Sequence, residues 1–326
     1  MPNDLLYYFT FLPIMYLEGF KFVVENLMPT ITILLLVALM LVEILNTRCK
    51  QSRTLLTQSY LTNVATFIFN NILLSALSVS SLLLLAETYQ HNGLLSVVNQ
   101  PVQVLLSFIL FDLTFYLWHM ANHNLDFLWM FHKAHHSDKS MNVTTAFRVH
   151  LFETLLYTFV KAIFVVVIGV ETVVVALCEG LSTFFIMFHH LNLTFRSEKW
   201  LKWLFIVPSL HRVHHSSLRQ EHDSNYGAVF SFWDRMFHTL IELRTEEIGL
   251  NNIRNLNFHE LLKFGMFPNM PESVQSPANS LQPQHINVMI AEAAYYIAEN
   301  RDFASGFELM DWFEAEQKIK QVLYTA

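Results

Sequence analysis

Three histidine boxes at helical spacing constrain this 326-residue chain more than any other feature. They read His119/His123 (HxxxH), His132/His135/His136 (HxxHH) and His211/His214/His215 (HxxHH). Residues three and four apart share one face of a helix, so each box presents its imidazoles as a cluster. Eight imidazoles exceed what one metal ion needs and suit two. Left without a metal, each buried ring nitrogen would go unsatisfied at a cost of about 1–3 kcal/mol, and ligation removes that cost. Neutral imidazole is a good ligand for iron, zinc and copper.

The boxes are embedded in apolar sequence. The chain is 53% hydrophobic and only 14% charged, against about 25% charged residues in an average soluble domain. Residues 4–25, interrupted by Glu18, Lys21 and Glu25, read as an interfacial helix. Residues 29–46, 67–89 and Val102–Trp118 are candidate spans, each near the roughly 20 residues that cross a bilayer. Residues 154–190 form an apolar hairpin broken near Gly169; Lys161, Glu171 and Glu179 leave a partly re-entrant pair open. Arg48, Lys50 and Arg53 follow the first span, whereas no Lys or Arg follows the second. The positive-inside rule then puts all three boxes on the cytoplasmic side. Lys133, Lys139, Arg148, Lys199, Lys202, Arg212 and Arg219 flank the boxes and agree. The N-terminus lacks a basic region before its apolar run, so no cleavable signal peptide is expected.

No strand-like alternation is prominent, so the expected fold is all-α. It is a four-helix membrane bundle under a cytosolic, histidine-rich helical cap, with a small helical C-terminal appendage. The expected segments are an N-terminal part (1–99), a histidine-box domain (100–245), a connection and linker (246–285) and a small domain (286–326). The linker is rich in Pro, Ser, Asn and Gln from Pro268 onward.

Several chemistries are excluded. Cys49 and Cys178 cannot supply a disulfide framework or a cysteine zinc site. A net charge of −7 argues against nucleic-acid binding. There is no GxGxxG, phosphate loop or CxxCH string, so an oxidase would take electrons from a separate reductase. Lys263 stands where a second ligand after His259-Glu260 would be, so HExxH is absent. Carboxylates are scarce near the boxes, unlike the Glu and Glu-x-x-His pattern of soluble di-iron bundles, and a nearly all-histidine dimetal site is expected. His190, in FHHLN, is a candidate ninth ligand, with His189 beside it as support or ligand. His150, followed by Glu153, is another candidate; His91, His222, His238, His259 and His285 read as structural or solvated.

The strings FDLTFYLWHMANH, LWMFHKAHHSDKSMNVTTAFRVHLFE, FHHLN and PSLHRVHHSSLRQEHDSNYGAVFSFWDRMFHT resemble the fatty acid hydroxylase (sterol desaturase) superfamily over roughly residues 100–245. The resemblance implies a four-helix anchor below a cytosolic cap that binds two irons and activates oxygen on a lipid. It implies His119, His123, His132, His135, His136, His190, His211, His214 and His215 as ligands, with His150 and His189 as possible additions and no catalytic group beyond the ligands. Zinc is an expected substitute in purified material. Asp223, Asn225, Tyr226 and Gly227 match the superfamily's DxNYG string and Trp233, Asp234 and Arg235 its WDR string, both as positioning or packing elements. Met120 and Met130 depart from a usual Arg, and His238 from a usual Gly. IAEAAYYIAENRDF and ELMDWFEAEQKI resemble a short bacterial family of unknown function, which favours a bacterial inner membrane. The leading expectation is an oxygen-dependent lipid hydroxylase or desaturase served by an external electron donor. The alternatives are a zinc-dependent membrane hydrolase and a lipid-binding scaffold with a structural metal site.

Overall fold

The computed structural model describes residues 28–76, 82–90, 92–245, 247–251, 253–266, 283–299, 301 and 303–325. The expected interfacial helix at 4–25 and linker residues 268–282 lie outside them; residues 283–285, also read as linker, open a helix instead. The long helices of the first unit are α1 (Met28–Asn46), α2 (Arg53–Ala76), α4 (Gln100–Asn124), α6 (Leu151–Ile168) and α7 (Thr172–His189). Shorter ones are α3 (Leu82–Tyr89), α5 (Asp126–His136), α8 (Glu198–Leu201), α9 (Pro208–His214), α10 (Arg219–His222), α11 (Phe232–Met236) and α12 (Phe258–Phe264). Among the described residues there is no strand, and two isolated bridges, Phe205 to Phe230 and Ser216 to Ile248, are the extended pairings found.

Among the described residues three helices, α4, α6 and α7, are long and apolar enough to cross a membrane, and Thr30–Asn46 of α1 is a shorter apolar helix. Their outward faces carry exposed Ile33, Leu34, Leu105, Phe159 and Leu177, surface that water disfavours and lipid accepts. Phe111, Phe164, Val165, Val174 and Val175 pack inward as one apolar core. The expected second span, 67–89, lies only partly within the described residues. It falls on the end of α2 and on the eight-residue α3, with residues 77–81 between them outside the described set. The inner face of α2 explains why it is not simply lipid-like: Ser59, Thr62, Asn63, Thr66 and Asn70 are buried there.

Those polar groups brace the segment that follows the second box. Asp138 accepts hydrogen bonds from Ser59 Oγ (2.7 Å), Asn63 Nδ2 (3.0 Å) and Thr145 Oγ1 (2.8 Å). Fully buried Arg148 donates to Asn63 Oδ1 (3.0 Å), Ser137 Oγ (3.0 Å) and the Ala134 carbonyl (3.1 Å) at the C-terminal end of α5. Burial alone would raise the Asp138 carboxyl, yet Arg148 and the hydrogen bonds from Asn63, Ser59 and the Ser140 amide hold it below its ordinary value. The network is therefore charged and satisfied, and it fixes how α5 presents its histidines.

The hairpin turns where the spacing predicts. Gly169 ends α6 in the left-handed region at φ 72°. Backbone packs on backbone here: Leu94 N and Leu95 N donate to the Val167 and Ile168 carbonyls at 2.9 and 3.0 Å. A Cβ on Gly93 would lie 2.0 Å from Gly169 N. At the opposite end of α7, Glu43 of α1 accepts from the Asn192 amide at 2.6 Å and from Val143 N at 3.3 Å. Arg48 N donates to the Asn192 carbonyl at 2.8 Å, which puts the loop after α1 at the histidine end of the helices. The second unit pairs α13 (Pro283–Glu299) with α14 (Glu308–Thr325), burying Ile290 and Ala315 and pairing Arg301 with Asp311.

Candidate metal centre

Nine histidines from four segments meet in two groups. The first holds His119, His123, His132, His136 and His214, the second His135, His190, His211 and His215; in each, one ring nitrogen per residue lies within 4.8 Å of all the others. Each HxxHH box is divided between them. Its i and i+4 members point one way and its i+3 member, about 60° round the helix, the other. Thus His132 and His136 join the first group and His135 the second, while His211 and His215 join the second and His214 the first. His119 and His123 on the last turns of α4 complete one group, and His190, just past α7, completes the other.

The string after α10 sets ring orientation. His119 Nδ1 donates to the Tyr226 carbonyl (2.8 Å), His214 Nδ1 to the Ser224 carbonyl (2.7 Å) and His189 Nδ1 to the Ala228 carbonyl (3.1 Å). His123 Nδ1 lies 3.0 Å from Asp223 Oδ1. Elsewhere, His132 Nδ1 meets Glu153 Oε1 at 2.7 Å and His190 Nδ1 donates to the Ile186 carbonyl at 2.7 Å. Carbonyls and carboxylates only accept, so in these rings the proton sits on Nδ1 and Nε2 carries a bare lone pair. Asp234 holds the string in turn, accepting from Tyr226 N (2.8 Å) and Gly227 N (3.0 Å). Burial pushes the Asp234 carboxyl up to about 6. Asn225, at φ 52°, ties the same string to the Leu210 and Ile241 carbonyls at 2.9 and 2.8 Å. His238, where the superfamily resemblance implies a usual Gly, takes φ 60°, a conformation that favours glycine.

The lone pairs face one another. His119 Nε2 and His132 Nε2 are 3.2 Å apart although both rings are protonated at Nδ1, so no hydrogen bond joins them. In the second group, Nε2 of His190 is 3.2 Å from that of His135 and 3.0 Å from that of His211, which is 3.2 Å from that of His215. Buried His123 Nε2, both His136 nitrogens and His214 Nε2 find no hydrogen-bond partner among the described residues. Burial, then neighbouring imidazoles, hold His135, His136, His211 and His215 well below the ordinary histidine range; burial does the same for His190 and His214. They are neutral at pH 7, the state in which imidazole ligates. Convergent bare nitrogens at these separations fit a transition-metal ion: ligands about 2.1 Å from an octahedral ion sit about 3.0 Å apart. Hard ions such as magnesium or calcium prefer oxygen and fit this donor set poorly.

Four other residues singled out in the sequence stand outside the two groups. His150 stands outside both groups; its Nδ1 accepts from Phe152 N at 3.3 Å as the cap of α6, and its Nε2 bonds the Leu262 carbonyl at 3.1 Å. Glu153, read from sequence beside His150, serves His132 instead. His189 also lies outside both groups, its ring centroid 3.9 Å from that of His211. His222, read as structural or solvated, is buried; it stacks on Trp129 and forms a third group with His123 and Asp223. Its place inside the string that ends in DSNYG was the available signal.

A cavity of about 270 Å³ lies over the junction of the two groups. His119, His132, His135, His190 and His211 line one side, and Phe67, Phe115, Trp118, Phe147, Tyr157 and Ile186 much of the rest, with polar Asn70, Asn122 and Thr154 among them. The arrangement offers an apolar chain a dry approach to two metal-binding groups.

Residues 104–239 match the model of the fatty acid hydroxylase family, and residues 288–321 that of a protein family of unknown function, DUF2934. The chain is 29% identical to ornithine lipid hydroxylase of Rhizobium tropici, over 45% of each protein. It is 31% identical to alkylglycerol monooxygenase of Caenorhabditis elegans, over 50% of this chain and 34% of that one. Mouse cholesterol 25-hydroxylase is 28% identical over 42% of this chain and 46% of its own length. The chain thus spans about a third to a half of these relatives. No solved structure matches it.

Proposed function

Because residues 104–239 belong to the fatty acid hydroxylase family, we propose that this protein is a membrane-bound, oxygen-dependent lipid hydroxylase. The carrying observation is the pair of convergent all-imidazole groups beside an apolar cavity. We assign two iron ions to them, five histidines to one and four to the other, with zinc able to replace iron on purification. When bound, the metals supply the activation of dioxygen that a saturated C–H bond requires. The balanced reaction is R–H + O₂ + 2 e⁻ + 2 H⁺ giving R–OH + H₂O, with both electrons from a separate reductase.

The chain's own residues do the rest. The Tyr226 and Ser224 carbonyls, Asp223 and Glu153 fix the imidazole tautomers so that Nε2 faces the centre. The aromatic walls exclude water and align an alkyl chain against the histidines. The four-helix anchor and cytosolic cap remain part of the proposal. They are supported by the span-length helices and by basic residues in the loop that reaches the histidine end. The relatives' printed activities are hydroxylations and monooxygenations, which favours hydroxylation over desaturation. A catalytic zinc site uses three protein ligands, so a hydrolase would leave most of this set without purpose.

The test is mass-spectrometric lipid profiling of cells expressing the full chain or its His135→Ala variant, with and without oxygen. Lipids gaining one oxygen atom only with the wild type and only in air support the reading. An oxygen-independent change, or identical profiles for wild type and variant, would overturn it.

A further inference from the structure

The cavity above the histidines continues into a larger one of about 740 Å³, and the two share Phe67, Phe115, Thr154, Tyr157 and Ile186. The larger compartment is lined by an ion pair on two span-length helices: Lys161 Nζ of α6 lies 2.7 Å from Glu179 Oε1 of α7 and 4.9 Å from the centre of the Tyr157 ring. The Lys161 side chain is only 14% exposed. Ser182, one turn along α7, lines the same compartment, and its buried Oγ has no hydrogen-bond partner among the described residues. Charged side chains in spanning helices are costly and mark function. Glu179 keeps 35% of its side chain exposed, and stability does not explain the pair, because the cost of desolvating Lys161 offsets much of the attraction between them.

We propose that Lys161, Glu179 and Ser182 form a polar anchor selecting lipids that carry a neutral group able both to donate and to accept hydrogen bonds, an amide or hydroxyl. The inference rests on the lipid-oxidising reading above. Glu153 touches His132 and Lys161 lies eight residues further along the same helix, about 12 Å at 1.5 Å per residue. With C–C bonds of about 1.5 Å in a zigzag, that separation is roughly ten carbons between the polar group and the carbon held at the histidines. The ammonium donates, the carboxylate and the seryl oxygen accept, and the set carries no net charge. A phosphate drawn to Lys161 would meet the Glu179 carboxylate in a low-dielectric wall, so an anionic group is rejected.

The test uses the metal-free full chain in phosphatidylcholine nanodiscs. The probes are N-octadecylacetamide, octadecyl phosphate and octadecane, each brominated at the chain end. Binding is read as quenching of Trp118, which lines the inner cavity, with Trp118→Phe protein as the spectral control. Wild-type protein should bind the amide at least about tenfold tighter than the other two, 1.4 kcal/mol at 25 °C. The Lys161→Met/Glu179→Leu double variant, which leaves no unpaired charge, should bind all three alike. Equal affinities in the wild type, or a preference that survives in the double variant, overturns the anchor. An amide preference without oxidation of any probe by the iron-loaded protein, given dioxygen and a chemical reductant in place of the reductase, leaves the anchor standing and sinks the hydroxylase; oxidation without the preference does the reverse.

Discussion

Replacing Glu153 tests the architecture at one atom. Its Oε1 sits 2.7 Å from His132 Nδ1 and the residue is 7% exposed, so the contact is short, charge-assisted and scarcely screened. Partners that orient a ligating histidine are worth about 10–100-fold in metal affinity, or about 1.4–2.7 kcal/mol. Glu153→Gln keeps an oxygen that accepts from Nδ1–H and loses the charge, so affinity should fall about tenfold, the lower end of that range. Glu153→Ala removes the acceptor as well and frees the ring to turn, so the loss should approach about 100-fold. Only the five-histidine group contains His132. In a chelator titration of the metal-loaded chain, followed by elemental analysis, one ion per chain should leave earlier and the other should not move. Unchanged release of both ions, or an equal shift of both, would refute the assignment of His132 to a separate centre.

Acid should unfold the metal-free chain. His135, His136, His190, His211, His214 and His215 titrate well below the ordinary range when folded, burial being the largest cause. Above about pH 6.5 neither state takes protons at these groups. Below it the unfolded chain binds protons that the folded one refuses, costing up to about 1.4 kcal/mol per pH unit for each. Thermal denaturation in detergent should therefore show a midpoint falling from pH 7.5 to 5.5, and a flat profile would contradict the buried cluster. Gly93→Ala should destabilise the far end of the hairpin by about 1–3 kcal/mol through overpacking, because its Cβ meets backbone at Gly169. Metal content per folded chain should be unchanged in that variant; a midpoint equal to wild type would show that the two backbones do not touch.

The clustering of imidazoles within each box was readable because spacing of three and four fixes a helical face. The division of each HxxHH box was not readable. It depends on which neighbours flank the helix, and only the packing of α4, α5, α7 and α9 supplies that. The DSNYG string was legible as a positioning element, but it acts through main-chain carbonyls at Ser224 and Tyr226, with that of Ala228 just after it, which no side-chain pattern encodes. Glu153 stands beside His150, three residues away on the chain, whereas the fold turns it to His132. The 67–89 stretch reads as a span because hydropathy counts its leucines; the buried polar face of α2 answers to tertiary contacts instead.

The most direct test is the metal stoichiometry of the anaerobically iron-loaded full chain, read by elemental analysis beside X-ray absorption of the iron shell. Two ions per chain in a nitrogen-rich shell, falling to one when His190, His211 and His215 are all replaced by Ala, is the expected result. One ion in the wild type, or two retained in that triple variant, would contradict the two-centre account.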